Sequence, residues 1–99
     1  MAHKVLVSVE FEVFGRVQGV FFRKFTKNRA KELGLVGWCL NTRAGTVRGV
    51  IEGQRSSVDQ MKAWLSSVGS PHSRIDEARF SNEKVLEHLE HERFSVVHE

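Results

Sequence analysis

The hydrophobic period of this 99-residue chain changes across one pentapeptide, "GRVQG", Gly15 to Gly19. Before it, Val5, Val7, Val9, Phe11 and Val13 alternate with Ser8, Glu10 and Glu12. A period of two belongs to a strand with one face buried and one wet; Leu6 and Phe14 are the exceptions. After it, Phe22, Phe25, Ala30 and Leu33 fall on one side of a helical wheel, with Lys24, Lys27, Asn28, Lys31 and Glu32 mostly opposite. Gly34 suits the left-handed residue that closes a helix. A half-wet strand feeding an amphipathic helix calls for a layered fold.

Downstream, "LVGWCLN" (Leu35 to Asn41) and "TVRGVIEG" (Thr46 to Gly53) read as two strands of a hairpin joined by "TRAG". "SVDQMKAWLSSVG" predicts a second helix: Ser57 and Gln60 stand at capping-box spacing, Val58, Met61, Leu65 and Val68 form one stripe, and Gly69 with Pro71 stops it. "RIDEARFS" (Arg74 to Ser81) and "RFSVVHE" (Arg93 to Glu99) predict two further short strands, separated by a charged connection, Asn82 to Glu92, with room for a helical turn.

This order, βαββαβ with an additional C-terminal strand, predicts an α+β two-layer sandwich with two helices on one face of an antiparallel sheet. In such an arrangement the first two strands run parallel with another strand between them, so their C-terminal ends emerge on the same side. The loop Gly15 to Gly19 is therefore expected near Asn41.

At 40% hydrophobic content, 99 residues support a single domain, 1–99, with one core. The lone cysteine, Cys39, has no partner for a disulfide, a zinc site or a CxxC centre, and fits a reducing compartment. "MAHKVLVSVEFEVFG" carries charges where a signal peptide needs an unbroken apolar stretch, and no run nears the roughly 20 apolar residues of a membrane span. The expectation is a soluble, cytoplasmic protein. A net charge of +3 favours an anionic partner without separating a small phosphate from nucleic acid.

The loop into the first helix has the parts of a phosphate seat. Its backbone N–H groups and the positive helix end favour an anion, and Gly15 and Gly19 let the backbone turn and approach oxygen atoms closely. Arg23, in the first helical turn, opposes the helix dipole by about 0.3–1 kcal/mol unless an anion lies between them; its planar fork matches phosphate oxygens. Asn41 can donate and accept at once, and so can hold a water for in-line attack. Taken singly, these residues equally suit an ordinary strand-to-helix turn, a solvated helix charge and a hairpin position. Their expected convergence at one sheet edge favours the phosphate reading.

Elsewhere, "EHLEHERF" offers His88 and His91, but HExxH fails at Ser95 and HxxEH is not met; the simple reading is a solvated charged turn. His3, His72 and His98 lie near loops or chain ends without evident partners. No serine has a nucleophile-elbow context, and Trp38 and Trp64 read as core or sheet-face residues.

"FGRVQGVFFR" together with "GWCLNTRAGTVRGVIEG" resembles the acylphosphatases, small enzymes that hydrolyse acyl phosphates, and the resemblance covers nearly the whole chain. It implies a ferredoxin-like fold, a loop of Gly15, Arg16, Val17, Gln18, Gly19 and Val20 that binds phosphate through backbone amides, an Arg23 that binds the phosphate, and an Asn41 that orients the attacking water. It also implies no metal and no organic cofactor, with acyl phosphate as substrate and inorganic phosphate as product. A monomer is the default for so small an enzyme. Two positions depart from the family pattern: Leu40 stands where a polar or basic residue is usual, and "FSVVHE" lacks the Arg-Tyr type of ending.

Two rival readings are an RNA-binding module of the same element order and a domain that binds acyl phosphate or phosphate without turnover. The first wants exposed aromatics on its third strand; "TVRGVIEG" has none, and Glu10 and Glu12 place negative charge on the open sheet face. Arg23 and Asn41 argue against the second.

Overall fold

The computed structural model describes residues 5–98; His3 and Glu99 lie outside the described residues. The chain runs β1 (Leu6–Arg16), α1 (Phe22–Glu32), β2 (Val36–Asn41), β3 (Val47–Gln54), α2 (Arg55–Ser67), β4 (Arg74–Leu86) and β5 (Phe94–Val97). One five-stranded sheet has the order β4-β1-β3-β2-β5, with both helices on the face that carries the core.

The alternation in β1 sets that face. Val7, Val9, Phe11 and Val13 are buried, while Val5, ahead of the strand, is exposed. Paired residues in a ladder share a face, so the register carries the core across the sheet. Val9 lies opposite Ile51 and then Gly37, Phe11 opposite Gly49 and then Cys39, and Val13 opposite Val47 and then Asn41. Asn41 therefore ends a row that runs back through the core valines Val47 and Val13 to Ala78. From above, Phe22, Ala30, Val58, Met61 and Leu65 close the core, each large side chain contributing about 1.5–3 kcal/mol by burial. The ring of Trp64 leans on Phe22 at 5.8 Å between centroids.

Four expectations change. The sheet is mixed: β1, β2, β3 and β4 pair antiparallel, but β5 joins β2 in parallel. The charged connection contains no helical turn, because β4 continues to Leu86. A bulge makes this possible: the register with β1 jumps from Glu10↔Ser81 to Ser8↔Lys84, Asn82 takes a left-handed φ of 52°, and its amide donates to Glu10 at 2.6 Å. Ser57 does not cap α2. That helix starts at Arg55, directly after β3, and the Arg55 N–H donates to the Val5 carbonyl at 2.9 Å. Val68 falls beyond the helix end and is 61% exposed.

The route to β5 depends on Glu52, which is fully buried on the face away from the helices. One carboxylate oxygen accepts the backbone N–H groups of Glu90 at 2.8 Å and His91 at 3.2 Å, and the other lies 3.0 Å from the His91 ring. These bonds offset the desolvation of a buried charge and pin the crossing segment to the sheet.

Candidate active site

The loop between β1 and α1 is fastened by its side chains. Val17 and Val20 are buried in the core side of the loop, and the Gln18 amide donates to the carbonyls of Thr42 at 2.8 Å and Thr46 at 3.0 Å in the β2–β3 turn. With the side chains so engaged, none of the backbone N–H groups from Val17 to Phe21 donates to a protein acceptor among the described residues. Free donors in succession, ahead of a helix N-terminus, are a ready anion seat.

The two glycines do different work. Gly19, at φ 75°, has open space where a Cβ would stand, so its backbone can be approached from the cavity side. Gly15, at φ 131°, lies within β1, where a Cβ would overlap the Arg74 carbonyl oxygen; it permits the close approach of β4 and does not line the cavity. Arg16 is likewise a strand residue, paired with Arg74 and exposed.

Phe21 precedes α1 in the left-handed region, φ 60° and ψ 26°, a conformation that disfavours a side-chain-bearing residue by about 1–2 kcal/mol. Its carbonyl accepts the Phe25 N–H at 3.1 Å. The turn sends neighbouring rings in opposite senses: Phe22 is 1% exposed and Phe21 71%.

A cavity of about 380 Å³ opens beside this turn, lined by Val17, Gly19, Phe21, Arg23, Asn41 and Val96 among others. The structure thus brings Val17, Gly19, Arg23 and Asn41 together, while Gly15, Arg16, Gln18 and Val20 support the loop from outside the lining. Arg23 is the second residue of a helix with no acidic residue in its first turn. Its guanidinium Nη1 donates to Nδ1 of His98 at 3.2 Å, giving His98 a partner the sequence did not suggest. Asn41, at the end of β2, has a buried Oδ1 that accepts no hydrogen bond among the described residues; such an acceptor calls for a donor from the cavity.

Beneath these residues, burial pushes the Cys39 thiol up to about 12, against the pull of the nearby Arg23 charge. The thiol is a neutral packing group. Among the described residues no three His, Cys, Asp or Glu side chains cluster as metal ligands, and His91 is engaged with Glu52.

Phe21, Lys24, Val96 and His98 complete the surroundings of the site, and sequence reasoning missed them. A signal existed only for Phe21: of the pair "FF", Phe22 alone fits the helical stripe. Val96 and His98 reach the site because β5 runs parallel to β2, which no local pattern announces.

The family model described as Acylphosphatase matches residues 9–96. Acylphosphatase-2 of Mus musculus is 57% identical over 93 residues, covering 94% of this chain and 88% of the relative. Acylphosphatase-2 of Homo sapiens is 55% identical over 91 residues, 92% of each chain. Among solved structures, an acylphosphatase from Coxiella burnetii superposes with a TM-score of 0.83 at 33% identity, covering 98% of this chain and all of its own.

Proposed function

Because the chain belongs to the acylphosphatase family and is a hydrolase of acyl phosphates, we propose that the Gly15–Val20 loop, through its free N–H groups from Val17 onward, and Arg23 hold the phosphoryl group while Asn41 positions the attacking water. One observation carries the division of roles: Arg23 and the Gly19 turn line the same cavity as Asn41, whose buried Oδ1 lacks a partner. The ligand phosphate removes the conflict between the Arg23 charge and the helix dipole.

In the reaction, a bond forms between the water oxygen and phosphorus as the bond from phosphorus to the acyl oxygen breaks. The carboxylate departs with the electron pair. Carboxylate is a good leaving group, so orientation of the water and stabilisation of the equatorial phosphoryl oxygens are the main requirements. Asn41 accepts a hydrogen bond from the water through Oδ1 and does not titrate. Because the Asn41 amide does not titrate, the water proton passes to a non-bridging phosphoryl oxygen or to bulk water.

The working form is a monomer in the cytoplasm that takes small acyl phosphates and neither nucleic acid nor a membrane surface; no described helix is long and apolar enough to cross a membrane. No metal or organic cofactor takes part.

The test is hydrolysis of benzoyl phosphate in excess chelator, with inhibition by inorganic phosphate measured beside it. Arg23→Gln is expected to lose both phosphate inhibition and turnover. Asn41→Ala is expected to keep phosphate inhibition and lose about a hundredfold or more in kcat. Equal loss of phosphate binding in the two variants would overturn the assignment, and dependence on added metal would overturn the chemistry.

A further inference from the structure

We propose that the Phe21 ring is the acyl-group platform of the site, selecting acyl phosphates with an aromatic or branched apolar acyl group over those with a small one; the inference rests on the acylphosphatase reading above. Three observations meet at this residue. Its backbone is left-handed, φ 60° and ψ 26°, a genuine outlier for a bulky side chain. Such strain persists only where the surroundings hold it, and it clusters at sites of function. The conformation brings no core packing in return, because the ring is 71% exposed while Phe22 beside it is 1% exposed.

The third observation is where the ring stands: it lines the cavity together with Gly19, Arg23 and Asn41. With the phosphoryl half of the substrate on the loop amides and Arg23, the acyl half must extend from the seat into the remaining space. That space has apolar walls from Val17, Phe22 and Val96, none of which is exposed as Phe21 is. A flat aromatic acyl group laid on the Phe21 ring removes apolar surface of both partners from water, and ring pairs of this kind add offset or edge-to-face attraction. Acetyl offers one methyl group to the same wall. Discrimination follows from size and shape of the acyl group, with no charge on it required.

The experiment compares kcat/KM for benzoyl phosphate and acetyl phosphate in the wild type, Phe21→Gly, Phe21→Ala and Phe21→Tyr, with the inhibition constant for inorganic phosphate as a readout independent of the acyl group. The ratio of benzoyl to acetyl kcat/KM is expected to fall about tenfold in the Gly and Ala variants, through KM for benzoyl phosphate. Phe21→Tyr is expected to keep the ratio, and all variants to keep the phosphate inhibition constant. The Gly variant adopts the same backbone without strain and is expected to raise the thermal midpoint, so lost selectivity in it cannot come from a damaged fold. An unchanged ratio, or a parallel loss on both substrates together with weaker phosphate inhibition, would overturn the inference and show the ring to be only a support of the loop. Failure of the wild type to hydrolyse either substrate would instead overturn the parent reading.

Discussion

Arg23 is held from outside its own helix. His98 lies 75 positions along the chain and presents an imidazole nitrogen to the guanidinium at 3.2 Å, so the arginine arrives at the cavity with part of its freedom already removed. His98→Ala is expected to raise the inhibition constant for inorganic phosphate by roughly twofold to tenfold, corresponding to about 0.5–1.5 kcal/mol for one hydrogen bond. His98→Gln, which keeps an acceptor, is expected to recover part of it. Phosphate inhibition that is the same in all three proteins would show that the bond does not position Arg23. At this scale the sequence was legible where a residue ends a clearly periodic segment: Arg23 follows a loop with two glycines, and Asn41 terminates a strand. It was not legible at Phe21, whose type gives no hint of a positive φ, nor at His98, whose partner is fixed by a sheet pairing far from it in the chain.

The phosphate loop and the β2–β3 hairpin are coupled through Gln18, whose amide bridges the carbonyls of Thr42 and Thr46. Asn41 immediately precedes that turn, so the clasp ties the anion seat to the group that orients water. Gln18→Ala removes both bonds, although the Gly45 and Thr42 N–H groups still donate to the Thr42 and Thr46 carbonyls, with an expected loss of about 0.5–1.5 kcal/mol per bond in urea unfolding and a fall in kcat that exceeds the change in phosphate inhibition. Full kcat in a destabilised variant would separate the clasp from catalysis. Element type and buried face could be read from sequence where one face is buried, as in β1 and α2, because burial imposes a period. They could not in β4, which is largely exposed along its length and so has no apolar alternation to display. The four residues of β5 are too few to fix a direction, and its parallel pairing follows from the segment held by Glu52. The start of α2 was misplaced because a backbone donor to Val5 replaces the side-chain cap that Ser57 suggested.

For the molecule as a whole, Cys39 links folding to alkaline pH. Burial pushes its thiol from 9.0 to about 12 in the fold, so the unfolded chain loses this proton first as pH rises. The stabilising contribution is complete below about pH 9 and declines from there through about pH 12, with a slope of up to about 1.4 kcal/mol per pH unit. Cys39→Ala is expected to be less stable at pH 7 and to show a shallower decline across that window in denaturant titrations. The chain has no tyrosine, so no phenol titrates there, and the lysines cancel in the comparison. Identical slopes would show that the thiol reaches solvent in the native state.

The outer strand β4 has a consequence for how copies of the molecule meet. A sheet edge left unpaired is a template onto which another chain can add, and β4 presents one thirteen residues long, against four at β5. Arg74, Asp76, Glu77, Arg79, Glu83 and Lys84 stud it with charge, and the bulge at Asn82 breaks its flatness. Arg79 holds the Glu77 carboxyl below its ordinary range by hydrogen bonding, and Lys62 with Arg55 does the same for Glu83, so these charges persist into mildly acid solution. Strong acid discharges the carboxylates but leaves the Arg74 and Arg79 guanidiniums charged along the strand, so the edge passes from balanced to net positive charge and copies of the molecule repel one another there; near neutrality, where both signs are present, the bulge and the mixed charge guard the same edge.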